Sequence, residues 1–430
     1  MTFWSWFPIV ILFVLFFMKV PIAYGMLIAT AAYFMWGPNS MDITSLVQQM
    51  VSANQSFVFL AIPFFTAAGV IFNYSGITRR LLNLANLLVG HMRGGMGQVN
   101  IVLSALMGGL SGSANADAAM EAKMLVPEMT KLGYSKPWSC VVTAASSCIT
   151  PIIPPGIILI LYSACSDVSV AKMFYAGYLP GILMMIALMV LTAYISKKRD
   201  YKPARTDKAN KTEVVRALKD GVWALFIPFG LVMGLRLGWF TPTEAGAVCI
   251  VYSVLVGKFI YKELKWSDMP AIIKESLYAT AGVMFILAAS KAFSLYLTWE
   301  RLPQMVSEFI ATNISQPWLF LLVCNILLLI IGFFFDGGAA MILVAPLLVP
   351  AAQALGIDLI HFGIVMSINL TLAGITPPFG NMMFVTLSVT DTKLIDYAKE
   401  AIPYILVLVG LLLVLTYVPG VILFVPNLLS

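Results

Sequence analysis

The residues best suited to chemistry lie inside apolar sequence. Gly108–Met120 (GGLSGSANADAAM) sets Ser111, Ser113, Asn115 and Asp117 among glycines and alanines. Glycines permit backbone that leaves the helical path, and unwound backbone at membrane depth is tolerated only where protein buries it or it lines a cavity. Freed carbonyls and hydroxyls then suit a hard cation such as sodium. The amino end of a returning half-helix offers N–H groups to an anion. Ser113 has a counterpart, Asp336, within Phe333–Met341 (FFFDGGAAM). Small-residue clusters also serve helix packing, but an intramembrane Asp is costly to retain without a role.

Prolines form the second constellation. Ser146–Gly156 (SSCITPIIPPG) and Gly374–Asn381 (GITPPFGN) each place Thr-Pro or Pro-Pro midway through a long apolar segment. Proline removes a backbone donor and clashes with the carbonyl four residues earlier, which frees carbonyls in mid-membrane. An ordinary kink does not require breaks at matching places in two halves. Paired broken helices point to a midplane binding site in a secondary transporter.

The elements that must position these residues are membrane helices. The chain has 430 residues, 60% apolar and 11% charged, against about 25% charged in ordinary globular proteins. Its mean hydropathy of +0.92 belongs to a polytopic all-α membrane protein. Met1–Phe17 reads as a span, because no basic segment precedes it and no small-residue cleavage site follows it. Charge this sparse excludes nucleic-acid binding. The five cysteines lie in apolar stretches without a C-x-x-C pair, as buried thiols do. His91 and His361 are too few for a histidine-based metal centre. Without a Walker A, G-x-G-x-x-G or H-E-x-x-H motif, ATP hydrolysis on this chain drives nothing.

Two halves repeat around a basic connector. Lys197–Asp220 holds 13 of the 46 charged side chains, nine of them Lys or Arg. Leu125–Ser135 (LVPEMTKLGYS) returns 223 residues later as Leu348–Asp358 (LVPAAQALGID), and the same offset carries Pro154-Pro155 onto Pro377-Pro378. An internal duplication follows. With the connector placed inside by the positive-inside rule, the expected crossings are residues 3–18, 20–36, 56–77, 138–162 and 174–196. Their second-half counterparts are 221–240, 243–259, 277–297, 360–390 and 401–426. The stretches 96–127 and 317–355 are treated as re-entrant hairpins, each preceded by an amphipathic arm, 79–93 or 300–313. Five crossings per half make the repeats, 1–196 and 221–430, inverted, with both termini outside. Few basic residues then fall outside, namely Lys172, Arg236 and Arg301, while Lys291 lies within a span.

The G-x-S-G-S hairpin, the two proline breaks and the chain length resemble the large membrane subunit of TRAP transporters, the tripartite, ATP-independent, periplasmic-binding-protein-dependent systems. The resemblance covers nearly the whole chain. It implies an elevator-type, sodium-coupled importer of organic anions in a bacterial inner membrane. It also implies two partners, a small four-helix membrane subunit and a soluble periplasmic binding protein. Sodium would be held at Ser111, Gly112, Asn115, Thr150 and Pro151 in one site. Asp336, Gly337, Gly338, Gly374 and Thr376 would form the other. Substrate would lie between the tips, against Ser113, Asn115, Ser147, Asp336 and Thr376. The polar Asn115-Ala116-Asp117 departs from the small neutral residues of many dicarboxylate members and favours a hydroxyl-rich acid such as sialic acid, with C4-dicarboxylates and other sugar acids as alternatives.

Two other functions compete. An intramembrane aspartyl protease would use Asp117 and Asp336 as a dyad sharing one proton, although Asp117 lies four residues past the position matching Asp336. A passive anion channel would need no pair of hairpins. Lys291 is either a partner for an interior carboxylate, a snorkelling side chain, or a countercharge for an anionic substrate.

Overall fold

The computed structural model describes residues 3–18, 20–37, 43–313 and 316–429, and all regular elements among them are helical. Three helices lead: α1 (Phe3–Phe17), α2 (Ile22–Trp36) and α3 (Ile43–Asn54). A first series follows, α4 (Ala61–Tyr74), α5 (Ile77–Val89), α6 (Gly95–Gly108), α7 (Ala114–Lys131), α8 (Lys136–Ser147), α9 (Ile157–Ser166) and α10 (Val170–Lys198). After α11 (Lys211–Arg236) and α12 (Pro242–Leu255) the same succession returns. Its members are α13 (Met269–Trp299), α14 (Leu302–Asn313), α15 (Pro317–Phe334), α16 (Gly337–Ala354), α17 (Leu359–Ala373), α18 (Asn381–Thr390) and α19 (Leu394–Tyr417), and α20 (Pro419–Leu429) closes the chain.

The two series agree in local detail because the same residue types stop and start them. Ser135 caps α8 and Asp358 caps α17, each side chain accepting from backbone N–H groups of the first turn. Gly133 (φ +85°) and Gly356 (φ +70°) turn the chain just before those caps, in the left-handed region that favours glycine. Asp167 and Asp391 end α9 and α18 with positive φ. Both Pro-Pro pairs, Pro154-Pro155 and Pro377-Pro378, are cis and lie between the paired helix fragments.

Seven described stretches are long and apolar enough to cross a membrane: 170–198, 211–236, 242–260, 266–299, 317–334, 337–354 and 394–417. The sequence predicts ten crossings, and five of them coincide with these stretches; the other two, 317–334 and 337–354, are the arms of the expected re-entrant hairpin, each long enough to span by itself. Part of the difference is length, since α1 and α2 have 15 residues each and rise only about 22 Å, short of a ~30 Å hydrocarbon core. The rest lies at the breaks, which divide 138–162 and 360–390 into helices too short to span singly. The stretch 61–89 bends by 71° between α4 and α5, at Gly76 with φ +77°. Three expected boundaries also shift. The connection between the expected crossings 20–36 and 56–77 contains α3, although residues 38–42 lie outside the described residues. α13 begins at Met269, well before residue 277. The connector is helical from Lys211, where the Glu213 carboxylate accepts from Asn210 N at 3.2 Å and starts α11. Upstream it is pinned, with Gly90 O accepting from Ala204 N at 2.9 Å and Arg199 gripping Glu400 through two bonds of 2.9 and 2.7 Å.

Packing crosses between the series. α7 lies against α8 and α18, and α16 against α17 and α9. A large apolar core runs through these helices. A smaller core joins α1, α2, α13 and α14 through Leu12, Met26, Tyr33, Phe293, Tyr296 and Leu302.

Candidate functional site

The residues expected at the two hairpin tips, Ser113 and Asp336, are helix N-caps, and their turns meet. Ser113 caps α7, its Oγ accepting from Ala116 N at 3.5 Å. Asp336 caps α16, its Oδ2 accepting from Gly338 N at 3.0 Å. The first N–H groups of a helix lack intrahelical partners, so a polar residue at this place stabilises the turn. Asp336 Oδ1 also accepts from Asn115 Nδ2 at 2.8 Å and from Asn381 Nδ2 at 2.9 Å. One carboxylate thus joins the first tip, the second tip and the start of α18.

Each tip is seated on a helix break. Gly112 has φ +59°, and a Cβ there would lie 2.1 Å from the Pro155 carbonyl oxygen. The Gly112 carbonyl accepts from Ile157 N at 3.3 Å, just past the first break. At the centre, Cys148 Sγ donates to the carbonyl of Thr371, 223 residues away and therefore its own repeat mate, at 3.5 Å. Phenylalanines cover the second tip from the α1 side: Phe16 lies 4.9 Å from Phe335 and 5.9 Å from Phe334 by ring centroids.

The tips enclose a cavity of about 290 Å³. Gly112, Ser113, Asn115, Pro151, Asp336, Gly337 and Gly338 border it, so these predicted residues are brought together. Asn115 Oδ1 is buried there without a hydrogen-bond partner, leaving an acceptor available. The other predicted residues lie behind the wall. Ser111 borders a neighbouring cavity of about 140 Å³ together with Asp117. Ser147 donates to Thr143 O at 2.8 Å and Thr376 to Leu372 O at 3.0 Å. Their hydroxyls are satisfied by their own helices, and neither borders the cavity. Thr150 donates to Asp117 Oδ2 at 2.7 Å. Gly374 is buried, and a Cβ on it would come within 2.6 Å of both Asn381 and Met382.

Three features escaped the sequence. Asn381 lies in a quoted motif, but only its contact with Asp336 gives it a role. The α13 face formed by Ala279, Gly282, Val283 and Ile286 closes the cavity, and nothing polar in that stretch signals it. Glu121 is fully buried one turn from Asp117 on α7. Ser104 Oγ donates to Glu121 Oε2 at 2.8 Å, while Asp117 Oδ1 and Glu121 Oε1 have no partner. The i, i+4 spacing of the two acids was the available signal. Asp117 and Asp336 border different cavities and share no partner, so they do not form a dyad.

This architecture defines a multi-span membrane transport protein. Its fold resembles that of the YdaH transporter of Alcanivorax borkumensis, with a TM-score of 0.63 over 96% of this chain and 98% of that one at 15% identity. MtrF of Neisseria gonorrhoeae, from a class of antimetabolite efflux pumps, gives a TM-score of 0.57 over 96% of each chain at 14% identity. The chain belongs to the family described as "Tripartite ATP-independent periplasmic transporter, DctM component", which matches residues 9–421. It is 37% identical to the 2,3-diketo-L-gulonate TRAP transporter large permease protein YiaN of Escherichia coli over 94% of each chain. It is 35% identical to the sialic acid TRAP transporter large permease protein SiaM of Vibrio cholerae over 96% of each. The C4-dicarboxylate TRAP transporter large permease protein DctM of Pseudomonas aeruginosa is 35% identical over 91% of each. The protein is a transporter subunit and not an enzyme, which removes the protease reading.

Proposed function

We propose that this chain is the translocating subunit of a sodium-coupled importer of organic anions in a bacterial inner membrane. It works with a small four-helix membrane subunit and receives substrate from a periplasmic binding protein. The observation that carries the reading is the convergence of two capped hairpin tips and two helix breaks on one cavity. There, the first-turn N–H groups other than those held by the caps suit a carboxylate, and carbonyls of broken backbone suit sodium. Sodium sits in two shells, around Ser111–Asn115 with Thr150–Pro151, and around Asp336–Gly338 with Gly374–Thr376. The repeats are inverted, and the tips and broken helices move as one body against α1, α2 and α13. The substrate is a hydroxylated acid of the sialic-acid type, since Asn115 and Asn381 add polar groups beside the anion site.

The test is uptake into proteoliposomes containing this chain and its small subunit, with sialic acid, malate and 2,3-diketogulonate offered with and without the binding protein. Uptake should require a sodium gradient with a Hill coefficient above one, and lithium should substitute poorly. Undiminished uptake in choline chloride would end the coupled reading and favour a passive channel.

A further inference from the structure

A second cavity, of about 840 Å³, lies next to the first along α13. Gly282, Val283 and Ile286 of that helix border the tip cavity. Leu287, Ser290, Lys291 and Ser294 border the second one, and Ile342 of α16 borders both. At a rise of 1.5 Å per residue, Lys291 stands about 7.5 Å beyond Ile286 along the helix axis. The two cavities are thus neighbours along α13, with Ile342 common to both walls.

The second chamber has the chemistry of a carboxylate site. Lys291 is exposed within it and forms no ion pair among the described residues. An ammonium group inside a membrane helix is costly unless it reaches water or an anion, and this cavity supplies that outlet. Asp167 shares the wall, yet it does not pair with Lys291, so the lysine charge is not spent internally. Serines surround it. Ser52 donates to Gln49 O at 2.9 Å and Ser163 to Leu159 O at 2.9 Å, which leaves their oxygens as acceptors. Ser56 and Ser294 also border the chamber, and their hydroxyls donate no hydrogen bond among the described residues. One cation with several hydroxyl acceptors and donors matches a carboxylate that carries hydroxyl groups.

We propose that Lys291, with the serines of this chamber, is an anion-docking subsite that holds the carboxylate of a hydroxylated organic acid before it passes Ile342 to the tips. The subsite rests on the organic-anion reading above, and it places a specificity-determining charge on α13, outside the tip cavity. Lysine here supplies attraction at the entrance, and the tip amides supply the later grip.

The experiment separates local charge from transport. Ser294→Cys is introduced in a background with the five native cysteines replaced, and labelled with an anionic sulfonatoethyl and a cationic trimethylammonioethyl methanethiosulfonate. A unit charge at this spacing should raise the anionic-to-cationic rate ratio about five- to tenfold in protein retaining Lys291 over Lys291→Gln. Lys291→Arg should retain the higher ratio. Millimolar sialic acid or malate should slow anionic labelling with Lys291 and not with Lys291→Gln. In protein with native cysteines, Lys291→Gln should raise the KM for uptake about tenfold, with a smaller change in maximal rate. An unchanged labelling ratio, an absence of protection by both acids, or an unchanged KM in a protein that transports would each overturn the subsite. Absence of sodium-driven uptake in the unsubstituted protein would instead overturn the transport reading.

Discussion

Asp336 gives the sharpest test of the tip geometry. Its Oδ2 accepts from Gly338 N, and its Oδ1 accepts from the amides of Asn115 and Asn381 at 2.8 and 2.9 Å. Asp336→Asn preserves volume and remains a good N-cap, so the bond to Gly338 survives through its single carbonyl oxygen. Its new NH2 then faces two NH2 groups. Asn115 can turn, because its Oδ1 has no partner. Asn381 cannot turn freely, because its Oδ1 already accepts from Met382 N at 2.8 Å. At least one charge-assisted bond, worth about 1.5–3 kcal/mol, is therefore lost. At about 1.4 kcal/mol per tenfold, the closed tip arrangement should become roughly 10- to 150-fold less populated. Sodium-driven uptake should fall by about that factor, with expression and assembly with the small subunit unchanged. Sodium and substrate titrations on the residual activity distinguish a sodium ligand from an acceptor for substrate hydroxyls. Full uptake by Asp336→Asn, with normal responses to both ligands, would refute the reasoning.

Gly112→Ala combines a positive φ with a Cβ 2.1 Å from Pro155 O, so uptake should be lost while Gly133→Ala, which meets nothing within 4 Å, costs only the strain of its own φ, ~1 kcal/mol, read as thermal midpoints in detergent. Ser104→Ala withdraws the 2.8 Å donor from buried Glu121 and should cost about 1–3 kcal/mol. In a Glu121→Leu background that loss should disappear, and a persisting loss would show that Ser104 acts elsewhere. Cysteines at Gln48 and Lys208 report topology: an impermeant thiol reagent added from the periplasm should label the first and spare the second, and the reverse pattern would invert the assignment of sides.

Much of the protein was legible in one dimension because membrane solvation is a local constraint. Composition alone required buried backbone hydrogen bonds and hence helices, and glycine and proline mark interruptions wherever they fall. The stretches Gly108–Met120 and Ser146–Gly156, with their counterparts, therefore coincide with the interruptions between helices, and the offset of 223 residues pairs Ser113 with Asp336, both of them N-caps. Tertiary structure decided which polar atoms face the cavity. Ser147 and Thr376 have the right chemistry and the right neighbourhood, yet their rotation about the helix axis returns their hydroxyls to their own backbone. Asn381 and Glu121 gain their roles from residues far away in sequence or on other helices. The wall of α13 is apolar and carries no local signal at all. Residue type and spacing specify what a segment can adopt, whereas orientation about a helix axis, and the partner across a cavity, exist only once the two series pack together.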